Sequence, residues 1–417
     1  MLERVFTCPR TIQRLREGPF GKYIDAFVEG LIAKGYSEKH LKPRLGTISD
    51  FNTWLLQNQV PLSGLDEEQI ERFIRYRQQR RPKTFFHSGG HAALKHLIDV
   101  LRRHGLVPPP RPTRRYPEEI DVQVARFVTY LREEKGLSAS SVHNYRTWAA
   151  RFLSETFDGR PVSVVHLGRD DVLTFLLRCS KRYSPNHTQT IASALRSYLR
   201  FLQMNGHITS ELAGCIPPVP GWRATHLPEY LASREVSQLL KTCDRRTVQG
   251  VRNYAILLLL VRLGLRASEV IHLTLDDIDW EEAVLVIDGK GGDKPSRLPL
   301  PHEVGQAVAS YLQRARPPCS SRRVFIRTRP PYEGLNHPST ISTIVCRALL
   351  AAGLNPSVKG AHLLRYTAAT EWLRQGATLA EVGELLRHHS IDTTALYTKI
   401  DVLQLGELAP PWPDLRM

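Results

Sequence analysis

Four stretches of this 417-residue chain recur in the same order about a hundred residues further on. Ile24, Phe27, Val28 and Leu31 reappear as Val124, Phe127, Val128 and Leu131, in both cases the i, i+3, i+4, i+7 stripe of an amphipathic helix. AKGYSEKHL at 33–41 reappears as EKGLSASSV at 134–142, a glycine to stop one helix and a serine to cap the next. LSGLDEEQIERFI at 62–74 matches VVHLGRDDVLTFL at 164–176, and LKHLIDVLRRHGLV at 94–107 matches LRSYLRFLQMNGHI at 195–208. The step between partners stays at 100 to 102 residues. Any one match could be chance; four in order at a constant step argue for a duplicated all-helical domain of about four helices.

Proline-rich stretches mark where these domains end. VPPPRPTRRYPEE at 107–119 and CIPPVPGW at 215–222 cannot continue a helix and read as stiff linkers. The predicted domains are 1–107 and 120–214, joined by a linker at 108–119, with a second linker at 215–228 and a third domain at 229–417. The third domain changes character. A helical pattern at 249–264 leads into GLRASEVIHLTLDDIDW, then VLVIDG and SRLPLP read as strands around the glycine-rich turn GKGGDKP. Helices follow at 302–315, 338–352, 361–374, 378–387 and 391–399. The fold class is therefore mainly α with a small β-sheet: two helical domains and one α+β domain.

Charge indicates the partner. The chain has 57 Lys+Arg against 41 Asp+Glu, a net +16, which attracts polyanions, nucleic acid before an anionic membrane. The longest apolar run, AILLLLV at 255–261, is far too short to span a bilayer, and the first residues do not resemble a signal peptide. Six scattered cysteines form no CxxC pair, so neither a disulfide framework nor a zinc site is indicated, and a reducing cytoplasm is expected. Residues 1–116 hold 21 of the basic and 11 of the acidic residues, hence most of the surplus. It is densest in RFIRYRQQRRPK, where Arg72, Arg75, Arg77, Arg80, Arg81 and Lys83 are candidate DNA contacts; the plainer reading of such a run is a solvated helix face.

The third domain collects a second set of polar residues. Arg266 follows a helix end in LGLRASE, with Glu269 one turn later, and Lys290 sits in the hairpin turn. His362 and Arg365 are spaced to share a helix face in HLLRYTAAT, and His388 precedes Tyr397 by nine residues in LRHHSIDTTALYTK. The set has no paired carboxylates and no metal cage, and it suits a phosphodiester. Two guanidiniums can fork onto the non-bridging oxygens and hold the charge that builds at phosphorus. A tyrosine can attack, an imidazole can accept or orient its proton, and an ammonium can protonate the leaving oxygen.

In these residues the chain resembles the tyrosine recombinase (phage integrase) family. GLRASE, the lysine of GKGGDK 24 residues after Arg266, HLLR and the histidine–tyrosine pair stand in the family's order. The resemblance covers roughly 225–410, the family's catalytic domain, and 120–210, its helical (SAM-like) core-binding domain; 1–107 is then an extra copy of the latter. It implies that Tyr397 forms a 3′-phosphotyrosyl link and releases a 5′-hydroxyl. Arg266 and Arg365 would clamp the phosphate, Lys290 would be the general acid, His362 and His388 would assist, and Glu269 would buttress Arg266. The implied partners are double-stranded DNA bearing a specific site and three further protomers on it, identical or from related recombinases, with no metal and no nucleotide cofactor. The tail LQLGELAPPWPDL is similar to tails of recombinases from bacterial mobile elements.

Two positions depart from the family's pattern. Arg387 stands where glycine is usual before the histidine, and Tyr366 follows HLLR where histidine is frequent. Taken singly, every residue of the set has a plainer role: Arg266 satisfying helix-end carbonyls, Lys290 solubilising a hairpin, His362 packed in a core, Tyr397 half-buried. Those roles predict no common order or spacing, and the order is what is found. The competing functions are a type IB topoisomerase, which would relax plasmids without a site requirement, and a non-cleaving DNA-binding regulator, which would form no covalent adduct. A helical-repeat scaffold would explain neither the charge nor the third domain.

Overall fold

The computed structural model describes residues 2–80, 89–109, 116–218, 229–288 and 295–387. Arg81, Lys83, Lys290, His388 and Tyr397 lie outside those residues, as does the helix expected at 391–399. The chain divides into two compact units, Met1–Arg111 with Leu227–Met417, and Pro112–His226.

The N-terminal part of the first unit is helical: α1 (Pro9–Arg16), α2 (Ile24–Ala33), α3 (Glu38–Gln57), α4 (Glu67–Arg80) and α5 (Gly89–Arg103). They enclose a core of their own, in which Phe20, Phe27, Phe51 and Phe73 are fully buried. Each such ring contributes about 1.5–3 kcal/mol by leaving water. The second unit has four helices, α6 (Glu118–Glu133), α7 (Ala139–Phe157), α8 (Arg169–Arg182) and α9 (Pro185–Met204), again with its own core.

Helices recur in the backbone at the step seen in the sequence. The starts of α3 and α7 are 101 residues apart, those of α4 and α8 are 102 apart, and the ends of α5 and α9 are 101 apart. Short 3-10 turns at Leu62–Gly64 and Val164–His166 repeat at the same step. Leu94, Leu97, Ile98 and Leu101 of α5 are buried, and so are Leu195, Tyr198, Leu199 and Leu202 of α9. Gly35 and Gly136 both take the left-handed backbone that ends a helix, with φ of 85° and 58°. Ser37 and Ser138 then occupy the cap positions of α3 and α7. Only Ser138 caps with its side chain, accepting from the Ser141 N–H; the Ser37 hydroxyl lies 2.8 Å from Nδ1 of His40 instead.

The C-terminal part of the first unit is built around α11 (Val248–Leu263). Its run Ala255–Leu260 is buried on every side, which explains the uninterrupted apolar sequence. α10 (Ser233–Lys241), α13 (His302–Arg314), α14 (Pro338–Ala351) and α15 (Ala361–Arg374) pack against it. α12 (Ala267–His272) and α16 (Leu379–Leu385) are short. The sheet is antiparallel, in the order β1 (Ile278–Asp279), β2 (Val284–Ile287), β3 (Ser296–Pro299). β2 and β3 are the expected hairpin, with Val284 opposite Pro299 and Ile287 opposite Ser296. Its connection carries Lys290. β1 has two residues, too few to show a period in sequence.

The two parts of this unit also touch. The Tyr332 N–H donates to the Lys34 carbonyl at 3.0 Å, and the Tyr332 ring covers the α-carbon of Gly35, where a β-carbon would lie 2.2 Å from Cδ2. The glycine that stops α2 therefore serves a second purpose, as the seat of an aromatic ring.

Candidate active site

α11 ends at Gly264, whose φ of 58° turns the chain back across the body. A β-carbon at Gly264 would lie 2.8 Å from Cδ2 of Leu386, so both the backbone and the close approach require glycine. The reversal delivers Arg266 to the cap position of α12 with an extended backbone, φ −75° and ψ 151°. Glu269, one turn on, folds back over it. Its Oε2 accepts from the Arg266 backbone N–H and its Oε1 from Nη1 of Arg266, both at 2.7 Å. A six-residue helix is thus used mainly to present one arginine.

α15 supplies the second arginine. Arg365 is buried, and its Nη1 donates to the Gly264 carbonyl at 2.5 Å while Nη2 donates to the Leu386 carbonyl. Leu386 is itself buried against Ala369 and Val382. Nη2 of Arg266 donates to the next carbonyl, that of Arg387, at 3.0 Å. Both arginines therefore hold adjacent peptide groups of the segment that follows α16. That segment runs on directly into His388 and the stretch ending at Tyr397.

His362 sits one turn before Arg365 on α15, exposed on one side, its ring 6.4 Å from that of Tyr366. Partial burial, and then the guanidiniums of Arg365 and Arg266, push its pKa below the ordinary histidine value. These influences favour its neutral form, the one that can accept a proton. Glu269 feels opposing influences. Burial alone would raise its carboxyl, but the Arg387 guanidinium, followed by the N–H and guanidinium of Arg266, brings it below the usual range.

Arg387 is the residue that sequence reasoning left without a role. Its Nη2 donates to Oε2 of Glu269 at 2.7 Å, and both side chains are 11 % exposed. The one available signal was its substitution for a customary glycine. Four of the basic residues suggested as DNA contacts fall on α4. Arg72 pairs with Glu68, Arg75 donates to the Glu71 carbonyl, Arg77 bonds Thr47 and Asp50 on α3, and Arg80 lies over the Tyr76 ring. Among the described residues no cluster of metal-ligating side chains occurs and no helix is long and apolar enough to cross a membrane.

This arrangement can do one kind of chemistry well. Arg266 and Arg387 share one carboxylate, that of Glu269, and the guanidiniums of Arg365 and Arg266 both act on His362, so the site has positive charge left over for an anion with several acceptor oxygens. Comparison with known proteins points the same way. Residues 229–403 match the phage integrase family, and residues 124–206 match the phage integrase N-terminal SAM-like domain. A putative integrase/recombinase of Sinorhizobium fredii, y4rA, is 38% identical over 96% of this chain and 97% of its own. The tyrosine recombinase XerD of Listeria innocua is 30% identical over 68% of this chain and 95% of its own. Among solved structures, the XerH site-specific recombinase in its post-cleavage complex with a palindromic difH substrate superposes with a TM-score of 0.56 at 22% identity, covering 70% of this chain and 84% of that one.

Proposed function

Since the chain belongs to the phage integrase family of tyrosine recombinases and is an enzyme of DNA strand breakage and rejoining, we propose that it recombines specific DNA sites through Tyr397. The Tyr397 hydroxyl oxygen attacks the scissile phosphorus, a P–O(Tyr) bond forms, and the bond from phosphorus to the 5′ oxygen breaks. His362, with His388 assisting, accepts or orients the tyrosine proton. Lys290 supplies a proton to the departing 5′ oxygen. Arg266 and Arg365 bear the charge that builds on the non-bridging oxygens. Attack by a 5′-hydroxyl of the partner strand reverses the steps and rejoins the DNA. One phosphoester replaces another, so the exchange needs no nucleotide.

One observation supports this reading most directly: the two guanidiniums on consecutive carbonyls, those of Leu386 and Arg387, at the entrance to the His388–Tyr397 stretch. A pair of arginines gathered only to stabilise the fold would have no reason to converge where the proposed nucleophile's segment begins. Exchange between two duplexes cuts four strands with one tyrosine each, which calls for a tetramer of this chain, or of this chain with related recombinases, on DNA. In the same reading, residues 1–107 and 120–214 are two helical clamps on DNA, and 229–417 is the catalytic domain. The similarity of the tail to those of mobile-element recombinases supports integration or excision of such an element.

The test is a covalent adduct on a nicked duplex selected by the protein from random-sequence DNA. Tyr397→Phe removes one oxygen and little packing, so it should bind that duplex and form no adduct. An adduct with Tyr397→Phe would assign the attack to another residue.

A further inference from the structure

We infer that Arg387 is a positioning residue for phosphate capture, holding Arg266 at both ends of its guanidinium. The inference rests on the reading of Arg266 as a phosphate clamp. Its basis is a closed circuit of contacts. The Arg387 side chain donates to Glu269, Glu269 accepts from Arg266, and Arg266 donates back to the main-chain carbonyl of Arg387. One residue thus fixes Nη1 of Arg266 through a carboxylate and Nη2 directly.

The backbone shows that this arrangement is maintained at a cost. Arg387 has φ of 54°, the left-handed region where a β-carbon is disfavoured and glycine is at ease. Burying a guanidinium is a second cost, and the contacts that offset it are few. They are Glu269 at 2.7 Å and the Leu385 carbonyl at 2.8 Å, while Nε has no partner among the described residues. A glycine would avoid both costs but would leave Oε2 of Glu269 with the Arg266 backbone N–H as its remaining partner among these contacts. Glu269 could then swing, and Nη1 of Arg266 with it. The side chain also ties position 387 to α12 through Glu269.

The experiment compares single-turnover adduct formation by wild type, Arg387→Gly, Arg387→Lys and Arg266→Ala on two nicked duplexes. One has the natural scissile phosphate. The other has a methylphosphonate there, which carries no charge for Arg266 to neutralise. Arg387→Gly relaxes the backbone yet should slow adduct formation by about 10–100-fold on phosphate, the cost of a misplaced clamp. Arg387→Lys, which keeps a cation near Glu269, should recover part of that loss. On methylphosphonate the gap between wild type and Arg387→Gly should close. A wild-type rate for Arg387→Gly, or an equal gap on both duplexes, overturns the inference. If the glycine variant fails to fold in a thermal melt, Arg387→Lys is judged by the same comparison. Arg266→Ala separates the two claims. If it cleaves like wild type the clamp itself is wrong; if it is slow while Arg387→Gly is not, only the role of Arg387 is lost.

Discussion

Nη1 of Arg365 donates to the carbonyl of Gly264, 101 residues earlier in the chain, at 2.5 Å. The bond joins the two halves of the candidate site, because Gly264 turns the chain toward Arg266 and Arg365 lies a helical turn from His362. A left-handed glycine makes it possible. Gly264→Ala must hold φ near 58° and seat a β-carbon 2.8 Å from Leu386. The backbone cost alone is about 1–2 kcal/mol. The variant should melt lower and cleave more slowly, read by a thermal melt beside an adduct gel.

The clamp and the acid should separate by chemistry. Arg365→Lys keeps the charge but loses the planar fork, so cleavage should fall by about 10³ or more. Lys290→Ala should cost about 10²–10⁴ in rate. A substrate with sulfur in place of the scissile 5′ oxygen has a leaving group that needs no proton, and should restore Lys290→Ala alone. Equal recovery of both variants would remove Lys290 from the role of acid.

Much of the candidate site is legible in the sequence because its residues stand in short motifs at fixed steps. GLRASE and HLLR gave both arginines, the histidine between them and the buttressing glutamate. The recurrence of helices at one step was legible for a similar reason: helix stops at Gly35 and Gly136 and buried stripes in α5 and α9 are local patterns written twice. What remained hidden was non-local. Arg387 meets Glu269 across 118 residues, and no periodicity relates them. The seat of Tyr332 on Gly35 was equally invisible, since each residue has an adequate local explanation. A two-residue strand such as β1 takes its identity from its partner β2 rather than from its own sequence.

Glu269 should govern stability as well as positioning. Glu269→Gln would leave Arg387 buried without its counter-charge, a change worth about 3–5 kcal/mol. The pH dependence has a definite sign. The folded carboxyl lies below its ordinary value, so the unfolded chain binds the proton more readily. This contribution is complete above the ordinary carboxyl range and is lost as pH falls through the lowered folded value. The difference in Tm between wild type and Glu269→Gln should therefore be largest near neutral pH and shrink on acidification. A difference that does not change with pH would mean that the ionised carboxylate is not what stabilises the site.

The N-terminal helices admit the test least tied to any resemblance. Residues 1–116 carry 21 basic against 11 acidic residues. Several of those on α4 are engaged within the protein: Arg77 with Thr47 and Asp50, and Arg72 with Glu68. Local pairing of this kind is weak at a surface, about 0–1 kcal/mol, and phosphates can displace it. If these helices clamp DNA, each phosphate they neutralise releases a counterion, and log affinity should fall against log salt with a slope of about −0.9 per contact. Removing residues 1–115 leaves the second unit and the catalytic part, and cuts the chain in the proline-rich linker. It also strips the Tyr332 ring from its seat on Gly35, so the shortened chain should be compared with Tyr332→Ala in the full chain to isolate that loss. The shortened protein should bind with a shallower salt slope and a shorter footprint than either full-length form. Matching slopes and footprints on the same duplex would mean that the first copy touches a protein instead, and that its basic face serves a neighbouring protomer or partner rather than DNA.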